Sequence, residues 1–155
     1  MRVATSFPTR LAPERAHAYV ADFATIAEWD PFIRSAQRLD PGPPRVGSRY
    51  HLLARGPLGR GVGLDYVITD LQAPHRVRLD ASSGTRFDGW DDITFTPAKD
   101  GGSTVRYAAE INLHGVGRLL YLVMPVMWLV ARLRGAGPLG GLRRRLDELA
   151  ATPER

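Results

Sequence analysis

An α+β domain with one curved antiparallel sheet is the fold class that this 155-residue sequence predicts. Three observations carry it. Residues 34 to 114 break into six short runs separated by turn chemistry, with no gap long enough for a crossover helix, so neighbouring strands should pair as a meander. A helical stretch stands between a first strand and that block, and a second helical region comes after it. A curved sheet also needs something across its concave face, which the helices can supply.

The opening "MRVATSFPTR" alternates, with Val3, Thr5 and Phe7 on one side, as a half-buried strand does, and it lacks the apolar core of a signal peptide. In "LAPERAHAYVADFA", Pro13 suits a first helical turn, Glu14 sits beside the helix's positive end, and Ala16, Val20, Phe23 and Ala27 recur at helical spacing. "TIAEWDPFI" continues as a second short helix that must stop before Pro31, which leaves Trp29 and Phe32 at a corner. The six strands then fall between "DPGPP" (40–44), "RGPLGRG" (55–61), "QAPH" (72–75), "SSGT" (82–85) and "KDGGS" (99–103). After Gly115 and Gly117 comes an apolar run, then a break at "GAGPLGG" (135–141), then the amphipathic "LRRRLDELAA", whose Leu142, Leu146 and Leu149 should face inward.

With 44% hydrophobic and 24% charged residues, positions 1–155 have the balance of one globular domain. Cysteine is absent, which excludes a disulfide framework, a thiolate nucleophile and a sulfur-ligated zinc site; a cytoplasmic setting is the simplest expectation. The formal charge of +5 comes almost entirely from arginine, Lys99 being the single lysine. These arginines are scattered beside acids, only Arg143, Arg144 and Arg145 form a run, and no stacking platform accompanies them, so no nucleic-acid partner is expected.

The apolar run "LLYLVMPVMWLVA", Leu119 to Ala131, is bracketed by Arg118 and Arg132. As a helix it would reach only about 20 Å against roughly 30 Å of bilayer hydrocarbon, and Pro125 interrupts it, so no transmembrane span is expected. A helix apolar on every side should be buried on every side, and in so small a domain the concave face of the sheet is its cover. Met124, Met127 and Trp128 are adaptable or large side chains that suit a cavity wall as well as a plain core. A peripheral alternative docks this helix on a membrane surface, with Arg132, Arg134 and the run from Arg143 to Arg145 meeting anionic headgroups; solvated arginines are the simpler account.

"LAPERAHAYVADFATIAEWDPFI" resembles the start of the SRPBCC superfamily, the START-like or polyketide cyclase/dehydrase proteins, and "VGSRY", "VITDLQAPHRVRL" and "GGSTVRYAAEINLHG" resemble its later strands in the same order. The resemblance implies a helix-grip fold: a seven-stranded sheet curled around a long C-terminal helix, with an apolar cavity between them. It also implies functions ranging from lipid transfer and ligand binding to polyketide aromatisation and cyclisation.

Alternation supplies the candidate site residues. In "RFDGWDDITFTP", Phe87, Gly89, Ile93 and Phe95 share a face on which Asp91 also falls; if it points inward, desolvation should raise its pKa and make it a proton carrier or a partner for a ligand hydroxyl. Tyr107 shares an apolar face with Val105, Ala109 and Ile111, Tyr50 goes with Leu52, and Tyr66 with Leu64 and Ile68, while Gly89 and Ala109 leave room opposite. The ligand-binding candidates are Trp29, Phe32, Tyr50, Tyr66, Gly89, Asp91, Tyr107, Met124, Met127 and Trp128. Asp91, Tyr107 and His51 are the catalytic candidates. His17 and His75 read as exposed, leaving His51 and His114 as the histidines able to reach a cavity, and no pair has metal-ligand spacing, so neither metal nor cofactor is expected. The expected function is binding of a hydrophobic small molecule or lipid between sheet and C-terminal helix; the rival is an aromatase/cyclase closing a poly-β-ketone by aldol addition and dehydration.

Overall fold

The structure is a computed structural model that describes residues 2–56, 60–84, 87–114 and 138–152. Strand β1 (Arg2–Thr9) leads into helix α1 (Pro13–Ala21), a 3-10 turn (Phe23–Thr25) and helix α2 (Ile26–Trp29). Strands β2 (Ile33–Arg38), β3 (Arg49–Arg55), β4 (Gly61–Gln72), β5 (Arg76–Ser82), β6 (Phe87–Pro97) and β7 (Ser103–Leu113) come next, then helix α3 (Pro138–Ala151). All strand pairs are antiparallel, in the order β1-β7-β6-β5-β4-β3-β2, so the chain runs as a meander from β2 to β7 and β1 closes on its far edge.

The period-2 pattern holds along the strands. Tyr50, Leu52, Ile68, Val77, Leu79, Ile93, Phe95 and Val105 are buried on the inner face, against α1, the 3-10 turn and α3. A bulge between Ile68 and Asp70 resets the phase of β4, which then pairs Leu71 with Val77. At the β6–β7 turn Gly101 adopts φ 83°, a conformation open to glycine at no steric cost.

The helices depart from the predicted phase at one point. Asp22 leaves helical geometry (φ −79°, ψ 82°), which ends α1 and rotates the next turns of the chain, so Ala16, Val20 and Phe23 are buried as predicted while Ala27 is exposed and Ile26 and Trp29 are buried instead. Tyr50 fixes that end of α1 by donating its hydroxyl to the Ala21 carbonyl at 3.0 Å. The break expected at "GAGPLGG" lies partly within α3, which starts at Pro138, a residue that a first helical turn tolerates, and carries Gly140 and Gly141. Gly141 has a packing reason: an added Cβ would stand 1.9 Å from the Trp29 carbonyl oxygen. Leu142 and Leu146 are fully buried, and α3 is tied to β1 by the Thr9 hydroxyl and the Arg10 N–H, both donating to Asp147 at 2.8 and 3.1 Å.

Each arginine of the run meets an acid: Arg143 with Asp147 at 3.9 Å, Arg144 with Glu148 at 3.9 Å, and Arg145 with Glu28 at 3.0 Å. No helix among the described residues is long and apolar enough to cross a membrane. The segment from Leu119 to Ala131, with Met124, Met127 and Trp128, lies outside the described residues, as does Arg134.

Candidate functional site

The inner face carries a polar island around Asp91. Asp91 on β6 is 6% exposed, between Leu79 of β5 and Ala109 of β7 in the strand register. Its carboxyl accepts a hydrogen bond from the Tyr107 hydroxyl at 2.8 Å, a contact made by the diagonal neighbour on β7, since Ile93 faces Tyr107 directly. Tyr66 approaches the same carboxyl from β4, two strands away. The residue facing Tyr66 on β5 is Ala81, and a small side chain there leaves room for the tyrosine to lean across.

Burial pushes the Asp91 carboxyl up to about 6. The Tyr107 and Tyr66 hydroxyls, which favour its charged form, only partly offset this, and the negative charge of Asp30 adds to it. Asp30, the residue that ends α2, is likewise raised to about 6 by burial, against the stabilising Phe32 N–H that donates to its carboxylate at 2.8 Å. Desolvation first and the Asp91 charge second push both phenols well above the ordinary tyrosine range, so Tyr66 and Tyr107 stay protonated donors. Two carboxyls poised near neutrality beside two permanent donors can bind a polar group by hydrogen bonds or exchange a proton with it.

Trp29 completes the island. Its ring stands edge-on to Tyr107, with centroids 6.4 Å apart and planes at 79°, and it is 3% exposed, yet its indole Nε1 has no hydrogen-bond partner among the described residues. Phe32 lies near Asp30, partly buried, and its backbone rather than its ring makes the polar contacts.

The structure therefore brings Trp29, Tyr66, Asp91 and Tyr107 together and leaves other candidates apart. Tyr50 is buried, but its hydroxyl is committed to the end of α1 and its ring packs edge-on to Phe23, so its role is structural. His51 is not on the inner face: with Tyr50 and Leu52 facing in, alternation puts it on the outer face, where Nδ1 pairs with Asp65 at 2.7 Å. His114 is also exposed and contacts Asp88. His17, expected at the surface, is 5% exposed, edge-on to Phe95 with its Nε2 3.2 Å from the Arg76 carbonyl; α1 lies close enough to β5 and β6 to cover more than one helical stripe. Gly89 serves the backbone rather than an open space, since a Cβ there would fall 2.1 Å from the Glu110 carbonyl oxygen. Among the described residues no group of three or more acids or histidines is placed to hold a metal.

Sequence reasoning missed Asp30 and the unpaired indole. The signal for Asp30 was Pro31, which holds the preceding residue in extended geometry (φ −96°, ψ 110°) and so carries the carboxyl off the helix axis.

Solved structures share this architecture at low identity. A protein from Thermus thermophilus superposes with a TM-score of 0.71 at 17% identity, covering 99% of this chain and 100% of that one. A START superfamily protein from Mycobacterium smegmatis gives 0.67 at 16% identity, covering 96% and 98%, and a Staphylococcus aureus protein of unknown function gives 0.67 at 11%, covering 97% and 95%. The shared architecture is the helix-grip fold. No curated protein matches the sequence. A family profile, described as polyketide cyclase / dehydrase and lipid transport, matches residues 1–153, and the chain belongs to that family.

Proposed function

We propose that this protein binds a hydrophobic small molecule or lipid against the inner face of its sheet, with the Asp91–Tyr107–Tyr66 island receiving the ligand's polar group. The observation that carries it is a carboxyl 6% exposed between apolar neighbours Leu79 and Ala109, held by phenols and with no cation among the groups that shift it. A fold gains nothing from such a group, and a binding site does. Tyr66 and Tyr107 keep part of their surface accessible although Ile68, Ile93 and Val105 nearby are buried, as the rim of a cavity would. Met124, Met127 and Trp128 join the proposed lining on their sequence alone. The neutral fluorophore N-phenyl-1-naphthylamine should bind saturably, one per chain, and native mass spectrometry of the purified protein should show a displaceable apolar molecule. Absence of both saturable uptake and a co-purifying molecule would refute the proposal.

A second reading is favoured by the two carboxyls poised near pH 6, which suit proton transfer at neutral pH: aldol closure and dehydration of a poly-β-ketone, with Asp91 as proton carrier. If the parent protein converts such a substrate, Asp91→Asn should lower turnover on the order of a hundredfold while N-phenyl-1-naphthylamine binding persists. Undiminished turnover in that variant would remove Asp91 from the chemistry.

A further inference from the structure

Trp29 is costly where it sits. An indole N–H can only donate, and a donor removed from water without an acceptor loses a hydrogen bond that a phenylalanine at the same position would never have needed. Trp29 is 3% exposed and its Nε1 is unpaired among the described residues. The two carboxyls of the island hold other donors and neither bonds the indole: Asp91 takes the Tyr107 hydroxyl, and Asp30 takes the Phe32 N–H, each at 2.8 Å.

The ring is also held in place from several sides. Tyr107 packs against it edge-on, α3 comes so close at Gly141 that the Trp29 carbonyl has no room to move toward it, and the next residue's N–H bonds back to the Ile26 carbonyl at 2.9 Å. An immobilised, desolvated, unpaired donor beside a polar island is a preorganised binding group. Its neighbours set the charge it can accept: with Asp30 and Asp91 both close to the tyrosine it packs against, an anionic ligand would meet carboxylates, whereas a neutral oxygen would not.

We propose that Trp29 is a specificity-determining residue whose indole N–H donates to a neutral acceptor oxygen, such as a ketone or ester carbonyl, on an otherwise apolar ligand. This rests on the hydrophobic-ligand reading above and adds to it a selection against hydrocarbons on one side and carboxylates or phosphates on the other.

Three probes of matched shape test it by titration at pH 7.5: 2-acetylnaphthalene, 2-isopropylnaphthalene and 2-naphthoate. The parent protein should bind the ketone about tenfold more tightly than the hydrocarbon, the size of one neutral hydrogen bond, and more tightly than the carboxylate. Trp29→Phe should abolish the preference for ketone over hydrocarbon and leave the hydrocarbon's own affinity within about threefold. A second readout needs no variant that folds: in 1H–15N spectra of the parent with indole-15N tryptophan, one indole N–H resonance should move downfield with the ketone and stay in place with the hydrocarbon. Equal affinity for ketone and hydrocarbon, a preference for naphthoate, or indole resonances unmoved by the ketone would overturn the role of Trp29 while leaving hydrophobic binding standing. If none of the three probes binds, the hydrophobic-ligand reading falls and takes this inference with it.

Discussion

Gly141→Ala should destabilise the protein by roughly 3 kcal/mol, although alanine is the better helix former by about 1 kcal/mol. The sign reverses because of what stands opposite. A Cβ at Gly141 would lie 1.9 Å from the Trp29 carbonyl oxygen and 2.9 Å from its carbon, and both are backbone atoms that cannot rotate away. Relief requires α3 to back off α2, which uncovers Leu142 and Leu146 and strains the Arg145–Glu28 pair. Gly140 is exposed on the same helix, so alanine there should follow helix propensity and stabilise by up to about 1 kcal/mol. Urea unfolding of the two variants against the parent measures both. A Gly141→Ala protein at least as stable as the parent would mean that α3 is not seated on the end of α2.

Asp91→Asn should act in the opposite direction and depend on pH. The folded carboxyl is raised to about 6 from an ordinary 3.8. Between about pH 4 and pH 6 the unfolded chain releases this proton while the folded protein keeps it, so each step upward in pH favours unfolding. Above about pH 6 both states are ionised, the slope vanishes, and the whole cost remains, about 3 kcal/mol at 1.36 kcal/mol per tenfold change in proton affinity. Asparagine keeps the acceptor for the Tyr107 hydroxyl and has no proton to lose. The stability of the variant relative to the parent should therefore rise by about 3 kcal/mol between pH 4 and pH 8. A constant difference across that range would show that Asp91 ionises as freely in the fold as outside it. An aspartate kept at such a cost marks a position where stability is spent on function.

What the chain's own pattern disclosed depended on whether one element or two determined the answer. Asp91 and Tyr107 were legible because a strand's alternation alone decides which way they point, and Tyr66 came from Leu64 and Ile68 in the same way. The same rule assigns His51 to the outer face, since Tyr50 and Leu52 on either side point in, and it outweighs the candidacy of that imidazole as a catalytic group. The seven strands and their turns were readable because punctuation by Gly, Pro and Asp is local. Asp30 was not, because its burial depends on where α2 comes to rest against β2 and α3, and no periodicity within "AEWDPF" encodes that. His17 failed for a related reason: a helix pressed on a sheet buries a stripe whose width is set by how closely the two approach. Gly141 looked like a helix breaker because the feature that demands a glycine there, the Trp29 carbonyl, lies more than a hundred residues earlier in the chain.

The order of strands also sets the order in which the chain can find itself. Strands β2 to β7 each pair with a sequence neighbour across a turn or loop, contacts of low order that can close early. β1 is different: it pairs with β7 and is pinned by Asp147 of α3, so the strand that precedes the other six waits for nearly the whole domain before its partners exist. During that wait it is an unpaired edge, and in the finished sheet it has a partner on one side only among the described residues. Pro8 meets both situations, because a strand interrupted by a residue with no N–H to offer is a poor template for another chain.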